Sequence, residues 1–161
     1  MLRLKKMVLA EVPDVVPLFL DESQTQYWES GIRHDAESAN ELLRGYFRVP
    51  SYHWMMFSNG EVVGYGHLLR SDYLEAWIVS YIVAPEFQGL GIATAFVEEV
   101  KGFALNEGIE ILYASAHTAN LASIRVIEKS GFQPADVLAH SKENLYRWES
   151  KRPNKMQHPT V

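Results

Sequence analysis

The stretch from Val83 to Thr94 holds residues whose types and order could do chemistry: Val83-Ala84-Pro85, then Gln88-Gly89-Leu90-Gly91-Ile92-Ala93-Thr94. The β-branched run from Trp77 to Val83 predicts a buried strand, and Pro85, which cannot donate to a ladder, ends it. Helical periodicity begins at Ala93, so small residues stand where unpaired amides project from a helix start. Amides from about Gln88 to Thr94 can donate to an anion there, and a side chain at Gly89 or Gly91 would block the approach. A second candidate group lies past the apolar run Ile109–Ala116. His117 has the intrinsic pKa of a proton acceptor near neutral pH, although a histidine after a strand is equally an ordinary loop residue. Asn120, three residues on, presents a side-chain amide that could hold a ligand or cap the next helix.

A glycine-rich turn alone is a weak signal, and two phosphate-binding patterns fail here. A P-loop needs a lysine after its last glycine, where this chain has Ile92-Ala93-Thr94. A dinucleotide fingerprint belongs to a parallel sheet, whereas the segments ahead of Val83 predict consecutive antiparallel strands. Tyr52–Phe57 and Glu61–Arg70 flank Asn59-Gly60, a type I′ hairpin signal, and Tyr73–Val83 pairs back after Ser71-Asp72. Gly64 and Gly66 mark a bulge or a close backbone approach in the middle strand.

The remaining elements must position these groups. Leu2–Leu9 predicts a first strand. A short helix enters through Pro13 and is held near its first turn by Pro17. Asp35–Phe47 predicts a helix with Ala36, Ala39, Leu42, Leu43 and Tyr46 on one face, capped by Asp35 or Ser38. Ala93–Glu107 is the long helix, closed by Gly108, and a parallel strand Ile109–Ala116 follows by a right-handed crossover. A helix from about Asn120 to Ser130 ends at Gly131, and a strand pair Ala135–His140 and Asn144–Trp148 completes the domain. Residues 1–149 therefore form one domain, and 150–161 a polar tail.

Composition sets limits. The 161 residues carry 47% hydrophobic side chains and no cysteine, enough for one core and incompatible with disulfides, a thiolate nucleophile or a cysteine-based zinc site. His34, His53, His67, His140 and His158 show no metal spacing, so no metal is expected. A formal charge of −5 argues against a nucleic-acid partner. No stretch approaches the roughly 20 apolar residues of a membrane span, and no secretory signal develops before Glu11, Pro13 and Asp14; a cytoplasmic protein without membrane association is expected. Asp21, Glu22, Glu29, Asp35, Glu37 and Glu41, opposed by Arg33, make a solvated acidic face or a rim attracting a cationic substrate. Tyr27 and Trp28 lie in the same connection and could line such a mouth or lid the core.

Gln88-x-x-Gly91-x-Ala93 behind Val83-x-Pro85 resembles the pyrophosphate loop of the GNAT family of acyl-CoA N-acyltransferases. Asn120-Leu121-Ala122-Ser123-Ile124-Arg125 followed by Glu128-Lys129-x-Gly131-Phe132 resembles a second motif of that family, in the form found among ribosomal-protein N-terminal acetyltransferases. The element order agrees as far as about Trp148. The resemblance implies a single-domain α/β (α+β) fold, with a mixed, mainly antiparallel sheet of six to seven strands, about four helices and a CoA cleft. It further implies acetyl-CoA as co-substrate, a primary amine on a small molecule or peptide as acceptor, and a possible homodimer. The cofactor would lie on Ile82, Val83, Gln88–Thr94, Asn120 and Ser123, with the amide of Val83 or Ile82 as oxyanion donor. The acceptor would meet Tyr27 and Trp28.

The tyrosine by which many relatives protonate the departing thiolate is replaced by Ile127. A thiolate of pKa about 8.5, taking cysteine as a guide, leaves adequately without a donor. Some relatives carry a glutamate base on the central strand, and Glu75, two residues before Trp77 on the same face, is the nearest carboxylate. His117 is the alternative base, and Tyr81 or Ser80 could hold a water chain to solvent. A CoA-binding sensor without turnover is the competing class.

Overall fold

The computed structural model describes residues 2–28, 34–137 and 142–151, with the side chains of 136 and 137 excepted. Its sheet contains β1 (Leu2–Lys6), β2 (Ser51–Ser58), β3 (Glu61–Ser71), β4 (Ala76–Val83), β5 (Ile111–His117), β6 (Gln133–Val137) and β7 (Glu143–Glu149), in the order β1-β2-β3-β4-β5-β7-β6. All neighbours are antiparallel except β4 and β5. The final strand pair therefore enters the sheet through β7, with β6 at the edge. The helices are α1 (Val12–Val15), α2 (Glu22–Thr25), α3 (Ala36–Tyr46), α4 (Ile92–Asn106) and α5 (Leu121–Lys129). None of them is long and apolar enough to cross a membrane.

Local chemistry explains these boundaries. Pro13 and Pro17 each sit at the start of a separate short turn, so the first helical segment is broken into 3-10 turns around α1. Asp35 caps α3 by accepting from the amide of Ser38 at 2.8 Å, and the Ser38 hydroxyl accepts from the amide of Asp35 at 3.0 Å. Strand β4 starts at Ala76 instead of Tyr73, because Glu75 takes a left-handed φ of 50° and closes the turn ahead of it. Glu29 and Arg33 of the acidic connection, His140, His158 and residues 152–161 of the predicted tail lie outside the described residues.

Two apolar layers cover the sheet. Phe96, Val97, Val100 and Ala104 of α4 pack with Trp54, Leu68, Val79 and Leu112 on one face, while Leu43, Phe19 and Val15 pack with Met55, Tyr65 and Ile82 on the other. The strand glycines serve both predicted purposes. The β2–β3 register slips between Met56 and Phe57, opposite Gly64 and Val62. A Cβ on Gly66 would stand 2.2 Å from Cζ of Phe96, so the first layer seats α4 directly on the β3 backbone.

Candidate active site

The parallel ladder joining β4 to β5 contains only Trp77 opposite Leu112 and Ile78 opposite Tyr113. Beyond Ile78 the strands part. Ala84 donates its amide to Val63 O of β3 at 2.8 Å, and antiparallel alternation then turns the amide of Ile82 toward β3 as well. The amides of Tyr81 and Val83 consequently face the opening. Of the two oxyanion donors expected from sequence, Val83 is the one whose amide is free of the β3 ladder, while Ile82 contributes its side of the wall.

A cavity of about 430 Å³ occupies one side of the opening, bounded by Ile82, Val83, Gln88, Gly89, Ile92 and Ala93 with the start of α5. Gly89 and Gly91 adopt φ of 75° and 80°, and Gly91 is the N-cap of α4. Apart from the adjacent residues, no protein atom lies within 4 Å of a Cβ built on either glycine. The positive φ and the open space above the loop, not crowding within the protein, thus require glycine. The first-turn amides of α4 point into that space. Leu90, 68% exposed, projects to solvent, and Leu90 and Gly91 of the loop and Thr94 of the first turn of α4 do not line the cavity. The Gln88 side-chain amide donates to Val83 O at 3.2 Å and to Gln24 Oε1 at 2.8 Å, tying the loop to β4 and α2.

Asn120 caps α5 by accepting from the Ser123 amide at 3.2 Å, which leaves its NH2 group for the cleft. Ser123 Oγ lies 3.0 Å from Oη of Tyr81. Burial pushes the Tyr81 phenol up to about 12, against the lowering influence of Ser123. Tyr81, Asn120, Ser123, Tyr27 and Gln24 also bound a second cavity of about 400 Å³, whose far walls include Trp28, Tyr46, His67, Arg70, His117 and Glu143. The two cavities share these walls at the point where the strands part.

Tyr27 packs on His117 with ring centroids 5.0 Å apart, and Trp28 Nε1 donates to Oη of Tyr46 at 2.9 Å. The expected acceptor residues are therefore brought to the second cavity. His117 is there too, but its Nδ1 accepts from the amide of Ala119 at 3.0 Å. Its neutral ring consequently carries the proton on Nε2 and presents a donor. Glu75 is not brought in: it sits exposed in the β3–β4 turn, outside both cavities.

The acetyltransferase (GNAT) family model matches residues 17–132. The chain belongs to that family. Solved structures of the same fold include an acetyltransferase from Salmonella typhimurium that modifies the N-terminal serine of ribosomal protein L7/L12, at 18% identity over 92% of this chain and 95% of that one, TM-score 0.77. The aminoglycoside acetyltransferase AAC(6′)-Ib in complex with coenzyme A is 16% identical over 94% and 95%, TM-score 0.78. YncA from Salmonella typhimurium with acetyl-CoA is 15% identical over 95% and 96%, TM-score 0.75. Among curated proteins none matches the sequence. This GNAT chain thus has the expected N-acetyltransferase fold, including the seven-stranded mixed sheet and the helix-bound glycine loop.

Sequence reasoning missed His67, Tyr46 and Arg70 as cavity residues. His53 and His67 belong to no motif, but they stand opposite each other in the β2–β3 pair, and two histidines in facing strands of a predicted hairpin signal a shared polar interior.

Proposed function

We propose that this protein transfers the acetyl group of acetyl-CoA to a primary amine by direct attack within a ternary complex. The observation that carries this reading is the pair of cavities meeting between β4 and β5, one floored by the glycine loop and the other walled by aromatic and ionisable side chains.

Each step has a group suited to it. The amides at the start of α4 receive the diphosphate, with the helix dipole adding to their attraction. The pantetheine arm lies along the unpaired β4 edge, within reach of the Asn120 amide and the Ser123 hydroxyl. The Val83 amide donates to the thioester oxygen, where negative charge develops as the amine attacks. The amine enters from the second cavity past Tyr27 and Trp28, and holding both reactants at the shared wall converts a bimolecular step into an effectively unimolecular one. Tyr81, held protonated by burial, donates a hydrogen bond toward the departing sulfur in place of the tyrosine absent at Ile127. His117 serves as a donor to polar groups of the acceptor.

Thiol release from acetyl-CoA, followed against a panel of peptide N-termini, polyamines, aminoglycosides and amino acids, tests the reading. Amine-dependent release supports it. Tight acetyl-CoA binding with no release across the panel overturns it in favour of a sensor.

A further inference from the structure

Four polar side chains cross the sheet face beneath the end of α3 in an unbroken series that acetyl transfer as described does not use. Ser51 Oγ lies 2.8 Å from His53 Nε2, His53 Nδ1 lies 2.8 Å from Tyr65 Oη, and Tyr65 Oη lies 2.9 Å from His67 Nδ1. His53, Tyr65 and His67 are 4%, 0% and 2% exposed. One end of the series, His67, is in the wall of the second cavity, and the other end, Ser51 with His53, is in the wall of a separate cavity of about 380 Å³ beside Lys6 and Pro50.

The direction of every hydrogen bond follows from the Ser51 end. Its hydroxyl has the carbonyls of Tyr46 and Val49 at 2.9 Å each, and a carbonyl only accepts, so the Ser51 proton is committed there. His53 Nε2 must then donate to Ser51 Oγ, which leaves His53 Nδ1 as an acceptor for the Tyr65 hydroxyl. The Tyr65 oxygen in turn accepts from Nδ1–H of His67. The neutral His67 ring is left with its lone pair on Nε2, the opposite tautomer to His117. Burial reinforces this polarity by holding His67 neutral, its pKa lowered to about 3 with His53 adding to the effect, and His53 lowered to about 4. The rings of Trp28 and Tyr46 pack on His67 at 5.6 and 4.7 Å, fixing its orientation.

Resting on the amine-acetylation reading above, we infer that His67 Nε2 takes the proton from the attacking amine and that Tyr65, His53 and Ser51 carry it to the cavity beside Pro50. As the nitrogen bonds to the acetyl carbon its N–H becomes acidic, and that proton passes to Nε2. The Nδ1 proton of His67 moves to the Tyr65 oxygen, the Tyr65 proton to His53 Nδ1, the His53 Nε2 proton to Ser51 Oγ, and the original Ser51 proton leaves its carbonyl partners for water in the cavity beside Pro50 as the hydroxyl turns to His53 Nε2. One proton enters, one leaves, and no imidazolium accumulates. After product release the reverse shift, ending on water in the open acceptor cavity, restores the starting tautomers. His67 is the catalytic residue of the series, and Tyr65, His53 and Ser51 are positioning residues that act through it.

The test has two arms. Imidazole 15N spectra of histidine-labelled protein, with neither acetyl-CoA nor amine present, should show His67 protonated on Nδ1 and His53 on Nε2; the reverse tautomers overturn the relay. In turnover with whichever amine the panel identifies, Tyr65→Phe should lower kcat at least tenfold at unchanged KM for acetyl-CoA, and a curved proton inventory should become linear. Should Tyr65→Phe not fold, Ser51→Ala at the accessible end should lower kcat severalfold with the same change in the inventory, and His67→Ala should be rescued by added imidazole. Wild-type turnover with these variants unaffected overturns the relay alone. A wild type that releases no thiol with any amine overturns the acetylation reading, and the relay's catalytic role with it.

Discussion

Tyr81 of β4 and Ser123 of α5 meet across the opening, Oη to Oγ at 3.0 Å, and this contact closes the wall between the two cavities where no backbone hydrogen bond joins β4 to β5. It replaces, at one point, the ladder that ends at Ile78. Tyr81→Phe and Ser123→Ala should each cost about 0.5–1.5 kcal/mol, and a double-mutant cycle in urea should show coupling of about 1 kcal/mol between them. Coupling near zero would mean that the contact contributes nothing to holding α5 against β4. Tyr81→Phe should also slow thiol release by about tenfold, whereas Ser123→Ala, which retains the phenol, should slow it less.

Gly91→Glu should weaken CoA binding by at least 100-fold, measured by calorimetry, with the thermal unfolding midpoint lowered by several degrees and the fold retained. The substitution imposes a φ of 80° on a residue with a Cβ and sets a carboxylate where the diphosphate is placed. No protein atom beyond the adjacent residues stands within 4 Å of the added Cβ, so the cost to the fold is the backbone strain of the positive φ, about 1–2 kcal/mol. Unchanged CoA affinity would remove the diphosphate from the start of α4.

The elements that bound the first cavity were legible because they are nearly continuous in the chain: one strand end, one glycine turn and one helix start, with Asn120 the first residue of a second recognisable segment. Asn59-Gly60 and the apolar alternation around it gave three antiparallel strands in correct order. The second cavity is assembled from residues far apart in the chain, Trp28 after α2, Tyr46 on α3, His67 and Arg70 on β3, and His117 on β5. Periodicity reports which face a residue takes, not which distant side chain it meets. The tautomers of His67 and His117 were illegible for a related reason, since each depends on a partner fixed by tertiary folding. Glu75 was misplaced as a cleft residue by a strand start drawn three residues early, where a left-handed turn intervenes.

Gly66→Ala should destabilise the protein by about 1–3 kcal/mol, read from chemical denaturation. The added methyl would stand 2.2 Å from a ring carbon of Phe96, which is fully buried and has no space to withdraw. Because α4 must move away from β3 to admit it, CoA affinity should fall along with stability. Gly64→Ala meets Sδ of Met56 at 2.6 Å and Ile82 O at 2.9 Å, and should shift β4 instead.

Stability should decline on acidification before the carboxylates titrate. His67 and His53 have folded pKa values of about 3 and about 4, both lowered by burial from 6.5. A histidine lowered in the folded state binds its proton more readily when unfolded, so below about pH 6.5 protonation favours unfolding. For His67 alone the steepest loss is about 1.4 kcal/mol per pH unit, with the loss complete near the folded pKa. Glu11, Asp21 and Asp35, lowered by hydrogen bonds to Lys5, Ser23 and Ser38 respectively, contribute stability that is lost only at more acidic pH. Urea midpoints should therefore be level from pH 8 to 7, begin to fall near pH 6.5 and keep falling toward the folded values of about 4 and about 3, and His67→Gln should flatten that fall. A flat profile in the wild type would show that both histidines exchange protons freely with solvent.

His117→Ala and Glu75→Ala separate the two bases named from sequence. Glu75 is exposed in a turn outside both cavities, so Glu75→Ala should leave kcat and the pH–rate profile as they are. His117 contacts Tyr27 at the cavity mouth and holds its proton on Nε2, so His117→Ala should raise KM for the amine about tenfold, as loss of a hydrogen bond to a bound group does. The acidic limb of kcat should stay in place, because a ring that only donates a hydrogen bond to the acceptor takes no proton from the attacking amine. An acidic limb that disappears in His117→Ala would make His117 the base, and would require Ala119 to release Nδ1 during turnover.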